Sequence, residues 1–452
     1  MRFRFVALAA ALVVVASVAP PALAAGGAKT PPFATTVLPG AGGEPNVSIS
    51  PSGRYVLADG LGGESPATLY RSSDYGKTFQ HVTIDVPQSG GGDWDMRWLD
   101  DHTVIAADLS IGQGFFVDRS TDGGLTWTQT EVAEDQYDRP WIDHYGPNFV
   151  FAVAKGFDGI PYLYQSNDGG RSFGTAPIPV FVYGTPTTAG GPSPVEAFAT
   201  NQNAYVDHLT VDPRTGDVYV LFGIDQVSTY NQAQPVGAAN ELYVAHLEGD
   251  HFAVHPVHLG GPDESFLAGF NWMTVDRAGT LYALANGRIG GRWSPWLSSS
   301  KDKGVTWSKL VDLGITGAAN VYGAIAGAAR GNLSLVYLRG SNNDPATEQN
   351  WYATTAIVTG ADTAKPQVTR SRPIAAAIHT KDICFDGLFC GLPGFGNDRS
   401  LLDYIWTAVD SQGNAYSVVA SDGPATAANK GVSVVVIRQN SVATSLGSGV
   451  QS

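Results

Sequence analysis

Three short segments hold the residues best suited to chemistry: GGDWDMRW at 91–98, YDRPWID at 137–143 and GNDRSLLDY at 396–404. Each sets carboxylates beside an arginine and an aromatic ring. Asp95, Asp138 and Asp403 are the candidate catalytic carboxylates. Two carboxyl groups of unequal proton affinity can serve one as acid and the other as base or nucleophile in breaking a glycosidic bond. Arg97, Arg139 and Arg399, one from each segment, would together grip a carboxylate through paired N–H bonds. Trp141, whose indole suits stacking on a sugar ring, and Asp207 complete the substrate-binding candidates. The plainer alternative pairs each arginine with a neighbouring acid, Asp95, Asp138 or Asp398, as a local salt bridge. His144 and His208 are further candidate bases, with a hydrogen-bonded structural role as the alternative.

These residues form one site only if the fold collects segments spread along most of the chain. Helical periodicity is nearly absent, and short β-branched and aromatic runs bounded by Gly, Asp, Asn and Pro recur throughout, which predicts an all-β protein. A unit of apolar strand, Asp-x-x-Gly-type turn and second apolar strand recurs at 47–58, 96–107, 140–154, 209–222, 273–285, 324–338 and 407–420. Seven units at this spacing predict a seven-bladed β-propeller, with inserted loops at 182–206, around 341–350 and at 376–400. Ligands of propellers usually meet the residues just before each innermost strand, around the central channel. Phased this way, the rim receives Glu44, Asn46, Asp93, Asp95 and Arg97 from the first two blades, and Asp138, Arg139, Trp141, Asp207 and His208 from the next two. The later blades add Asn271, Trp272, Asn320, Tyr322, Asp398, Arg399, Asp403 and Tyr404.

A second repeat marks the other end of the blades. STDGGLTW at 120–127 returns as SSDYGKTF at 72–79, SNDGGRSF at 166–173 and SKDKGVTW at 300–307, each following a third strand. The Asp carboxylate can accept the turn's own N–H groups, the Gly supplies positive φ, and the aromatic ring plugs the gap between strands. This Ser-x-Asp-x-Gly-x-Thr-Trp pattern resembles the Asp-box, or bacterial neuraminidase repeat, of sialidases and related propellers. The resemblance rests on Asp74, Asp122, Asp168 and Asp302 and spans blades from about residue 45 to 420. It implies that these four Asp are structural and lie on the face away from the active site, and it brings six blades, the sialidase number, as the alternative to seven.

The resemblance further implies a sialidase-like glycoside hydrolase, with the arginines on a sialic acid carboxylate and a tyrosine activated by a glutamate as nucleophile. Tyr404 or Tyr322, with Glu241 or Glu264, stand for that pair. A non-catalytic glycan- or protein-binding propeller and a polysaccharide lyase on the same scaffold are the alternatives. No cofactor is required by these residues, and a structural Ca²⁺ in or near the channel would find oxygen ligands among the rim carboxylates.

Composition sets the compartment. Arg2 and Arg4 precede an apolar run and Ala22-Leu23-Ala24, which reads as a signal peptide over 1–24 and predicts a secreted protein. A single propeller domain over 25–440 and a disordered tail over 441–452 follow. Losing Arg2 and Arg4 takes the formal charge from -14 to about -16, which disfavours nucleic acid as a partner. No later stretch is long and apolar enough for a membrane span, and a monomer is expected. Export makes Cys384 and Cys390, the two cysteines, a short-loop disulfide.

Overall fold

The computed structural model describes residues 33–61, 68–87, 92–110, 114–134, 138–156, 160–183, 197–198, 203–225, 239–385, 390–391, 396–429 and 431–439. The expected signal peptide and C-terminal tail lie outside them, as do the side chains of Asp138 and Arg139.

Seven four-stranded antiparallel sheets make seven blades, so the count is seven rather than the sialidase-like six. In the first blade Gly43–Ile49 is innermost, followed by Val56–Leu61, Leu69–Ser72 and Gln80–Val82. The innermost strands of the other blades are Gly92–Trp98, Asp138–Tyr145, Asn203–Val211, Trp272–Val275, Asn320–Gly327 and Trp406–Val409. Each packs on its neighbours, and Gly43–Ile49 meets Trp406–Val409 to close the circle. The seventh blade takes its outermost strand from the start of the described chain: Phe33–Leu38 pairs antiparallel with Ser433–Gln439, from Phe33 opposite Gln439 to Leu38 opposite Val434. With this strand the seventh blade, like the other six, has four strands.

Strands inside a blade are covered on both faces by neighbouring blades, so they read as continuous apolar runs rather than alternating ones. Val104–Ser110 and Ala415–Ser421 are buried at every position.

The two ends of the blades differ in local structure. At the end where innermost strands begin, the pairing slips by a residue or more in five blades, between Gly43 and Asn46, Gly92 and Asp95, Asp138 and Trp141, Val206 and His208, and Val321 and Ala324. Such bulges bend a strand and re-aim its side chains. Glu44, Asp93 and Tyr322 sit in three of them with φ of 46, 40 and 53°, a left-handed conformation costly for a residue bearing a Cβ.

At the opposite end lie the octapeptides. Ile49 pairs with Val56 and Val56 with Ser72, so the turn that starts at Ser72 is level with the finish of its innermost strand. In the copy at 120–127 the Ser120 hydroxyl donates to Asp122 Oδ1 at 2.8 Å and accepts the Gly124 N–H at 2.9 Å. Asp122 also accepts the N–H groups of Leu125 and Thr126 and the Thr126 hydroxyl. Burial opposes ionisation, but the bonds from Thr126 and Ser120 outweigh it and hold Asp122 at about 2. Asp74, Asp168 and Asp302 likewise accept the hydroxyls of the Ser two before and the Thr or Ser four after. Arg71 and Arg119, just before two of the boxes, reach the backbone oxygens of Gly123 and Gly169 in the boxes of the next blades.

Candidate functional site

The charged residues nearest the channel axis bind one blade to the next. Asp95 is fully buried; its Oδ1 takes the Arg97 guanidinium and the Asn46 amide of the first blade, and its Oδ2 accepts the Ile142 N–H of the third at 2.9 Å. Asp143 repeats the device, accepting the Val211 N–H of the fourth blade at 2.7 Å. Asp207 passes it on by taking both the backbone and side-chain N–H groups of Asn271 at 3.0 Å. Burial pushes Asp143 up to about 6, against the opposing charge of Arg97, and Asp207 up to about 7. Asn286 continues the chain of staples into the sixth blade by accepting the Gly323 N–H.

Aromatic rings fill the channel. Trp141 is fully buried and touches His208, Phe270, Trp272, Tyr404 and Trp406, with ring centres 4.7 to 6.4 Å apart. The Tyr404 ring is part of this plug and 2 % exposed. Below it, toward the octapeptide end, a cleft of about 700 Å³, with the solvent at its mouth included, is lined by Arg97, Asp143, His208, Trp272 and Trp406 among others. Burial lowers the proton affinity of His144, whose Nδ1 lies 2.9 Å from the Gly146 carbonyl.

Above the plug, the rim brings together residues from the two ends of the propeller. Glu44, carried by the first bulge, accepts the Asp403 N–H at 3.2 Å, and the Arg399 guanidinium pairs with the Asp403 carboxylate. The Tyr322 hydroxyl donates to the Leu402 carbonyl at 2.6 Å, which ties the sixth blade to the same turn. Burial raises the Asp403 carboxyl above the ordinary Asp range, with Arg399 opposing it and the negative charge of Asp93 adding to it. Asp93 is thus within electrostatic range of the cluster. The Asp403 and Arg399 side chains are 22 % and 29 % exposed, enough for a ligand to reach both.

Of the sequence candidates, Arg399 and Asp403 meet at this rim, and Arg97 with Asp95 lies below them in the channel wall, each arginine with an acid of its own. Glu241 accepts the Tyr243 hydroxyl at 2.8 Å, and Glu264 pairs with His258 at 2.7 Å. Cys384 and Cys390 are disulfide-bonded, 5.8 Å apart at Cα, next to the segment that carries Arg399.

Two groupings carried no expectation from sequence. Asp108 and Asp118 face one another on adjacent strands of the second blade with no exposure, beside Trp94 and Gln129. An acid inside the apolar runs VIAADLS and GFFVDRS was the available signal. The other is His379, Asp398 and Asp422, the one set among the described residues close enough to share a metal ion. Its atoms are already engaged: Asp422 with His379 and Ser400, Asp398 with Lys381 and Ser400.

No protein-family model matches the chain, and no curated protein matches it either. Solved structures do. The chain is similar to an ulvan lyase, a polysaccharide lyase, with a TM-score of 0.54 at 11 % identity over 88 % of this chain and 93 % of that one. A second polysaccharide lyase matches with a TM-score of 0.50 at 11 % identity, over 85 % of this chain and 88 % of the other. A microbial sialidase matches with a TM-score of 0.41 at 11 % identity, over 87 % of this chain and 64 % of that one. At such identities the likeness is one of fold. Among the described residues no helix is long and apolar enough to cross a membrane.

Proposed function

We propose that this protein is a secreted, monomeric, carbohydrate-active propeller that hydrolyses glycosidic bonds at the rim formed by Glu44, Asp93, Arg399 and Asp403. The observation that carries this reading is the Glu44 carboxylate on the Asp403 backbone N–H and within hydrogen-bonding reach of its carboxyl, beside the Arg399 guanidinium. Carboxyl groups this close in a half-closed site do not all ionise together, so one keeps its proton as an acid while another stays a base. Asp403, raised by burial and open to solvent, donates its proton to the leaving glycosidic oxygen. Asp93 is the carboxylate that activates water or attacks the sugar, and Arg399 orients Asp403. Three carboxyl groups against one guanidinium, among the described residues, favour neutral or amino sugars over sugars that carry a carboxylate.

Elimination at a uronic acid residue is the second reading, favoured by the two polysaccharide lyases that share the architecture. Arg399 would then neutralise the uronate. A panel of fluorogenic glycosides, run beside the ultraviolet absorbance of unsaturated uronates from acidic polysaccharides, separates the two. Fluorophore release that Asp403→Asn cuts about 10²-fold or more supports hydrolysis. Unsaturated product supports the lyase, and glycan binding without turnover of any kind overturns both in favour of a binding module.

A further inference from the structure

The turn that carries Arg399 and Asp403 is held from below by a buried histidine. His379 is 1 % exposed, and both ring nitrogens face atoms that only accept hydrogen bonds. Nδ1 lies 2.7 Å from Asp422 Oδ1, and Nε2 lies 3.1 Å from the Asp382 carbonyl oxygen. Neutral imidazole has one N–H, so it satisfies only one of the two contacts; the imidazolium satisfies both. Asp398 Oδ1 stands 3.6 Å from Nε2 and adds its charge.

The partners of this imidazole run directly to the rim. Asp398 is tied to Lys381 at 2.6 Å and accepts the Ser400 N–H and hydroxyl. The Ser400 hydroxyl also lies 2.8 Å from Asp422 Oδ2, and Asp382 accepts the Asn397 N–H at 2.7 Å. Arg399 thus has both chain neighbours, Asp398 and Ser400, anchored on the groups that surround His379. The carboxylates of Asp398 and Asp422 lie close together there, with Lys381 and the imidazolium as their counter-charges. Loss of the imidazolium proton breaks one hydrogen bond and leaves Asp398 and Asp422 facing each other with less compensation.

We propose that doubly protonated His379 is a positioning residue that holds the 397–404 turn, and with it Arg399 and Asp403, so that the rim is ordered while the imidazolium persists and loosens as His379 loses its proton with rising pH. This inference rests on the rim being the ligand site. The pair with Asp422 raises the proton affinity of His379 above the ordinary histidine value of about 6.5 in spite of burial, so the stabilisation is complete below that value and is lost as pH rises through the raised one.

Nitrogen NMR of the histidine rings and hydrogen exchange of the 397–404 amides, followed together from acid to alkaline pH on the intact protein, test the idea without any substrate. The expected result is two ring N–H groups on His379 at about pH 6, below the ordinary histidine value. Protection of those amides should then fall by at most about tenfold per pH unit between about pH 6.5 and the His379 midpoint and level off beyond it. In His379→Gln the turn should exchange fast at every pH. Asp422→Asn, which keeps the side-chain shape, should move the midpoint down by about one pH unit or more. A His379 that is singly protonated at about pH 6, or a pH profile identical in the wild type and Asp422→Asn, overturns the proposal. The glycoside panel reads the other question: exchange coupled to His379 without turnover leaves the positioning role intact and removes the hydrolase, whereas turnover with an amide-protection profile unmoved by Asp422→Asn removes the positioning role alone.

Discussion

The Asp95 carboxylate accepts the Ile142 amide hydrogen at 2.9 Å across the junction of the second and third blades, while its other oxygen holds Arg97. A buried ion pair that also caps a backbone donor of the next blade is worth most when intact, because removing one member strands the rest. Asp95→Ala is therefore expected to cost about 3–5 kcal/mol, since it leaves the Arg97 charge buried without its nearer acid and with Asp143 at 3.6 Å. Denaturant unfolding checks this, and a change within about 0.5 kcal/mol would rule the staple out as a source of stability.

The acids inside the blades predict that stability declines with rising pH. Burial lifts Asp118 to about 7, and burial together with the charge of Asp118 lifts Asp108 well above the ordinary range. For carboxyls raised in the folded state, the stabilisation is full below the unfolded value of about 3.9 and disappears as pH rises through the folded one. Unfolding free energy should fall between about pH 4 and 7 and continue downward above it. Asp118→Asn should flatten that slope, and an unchanged slope in this variant would show that the pair does not share a proton.

The octapeptide carboxylates act with the opposite sign. Asp122 and Asp168 are held at about 2 by their turns, so their contribution is present above pH 4 and is lost only as pH falls toward 2. Asp122→Ala removes the acceptor of two backbone N–H groups and two hydroxyls, and by analogy with a lost helix N-cap it should cost about 1 kcal/mol. Glycan turnover or binding should be unaffected, because the turn stands at the blade end opposite the rim. A variant of normal melting temperature and altered activity would place the site on the wrong face.

At the rim, Arg399→Lys keeps the charge and loses the planar fork. It should lower kcat/KM about tenfold or more while leaving the melting temperature nearly unchanged, given that the side chain is partly exposed. A pH–rate profile adds a second check: with Asp403 as the acid, activity falls as pH rises past its raised value, and in Glu44→Ala that fall should shift to higher pH because the Glu44 side-chain hydrogen bond that lowers the Asp403 proton affinity is gone. An alkaline limb unmoved by Glu44→Ala would separate Asp403 from the proton-transfer step.

Much of the fold is legible in the chain because its signals are local. The strand-turn-strand units lie within a dozen or so residues, and each Ser-x-Asp-x-Gly turn satisfies its own donors, so the seven blades and the end at which the octapeptides lie follow from spacing alone. The two-cysteine pairing is of the same kind, with the two Cys six positions apart. The closing strand at Phe33–Leu38 carries no comparable mark, since its partner, Ser433–Gln439, lies at the far end of the propeller. The site shows the same division. Sequence placed Asp95, Asp207, Arg97, Arg399 and Asp403 near the channel, because residues preceding innermost strands must lie there. It did not say which would face solvent. Tertiary structure decided that Asp95 and Asp207 each accept a backbone N–H of the next blade, and that Glu44 meets Asp403 across 359 residues of chain. The reason is physical: hydrogen-bond partners and burial are set by ring closure, a contact between residues that no local pattern connects.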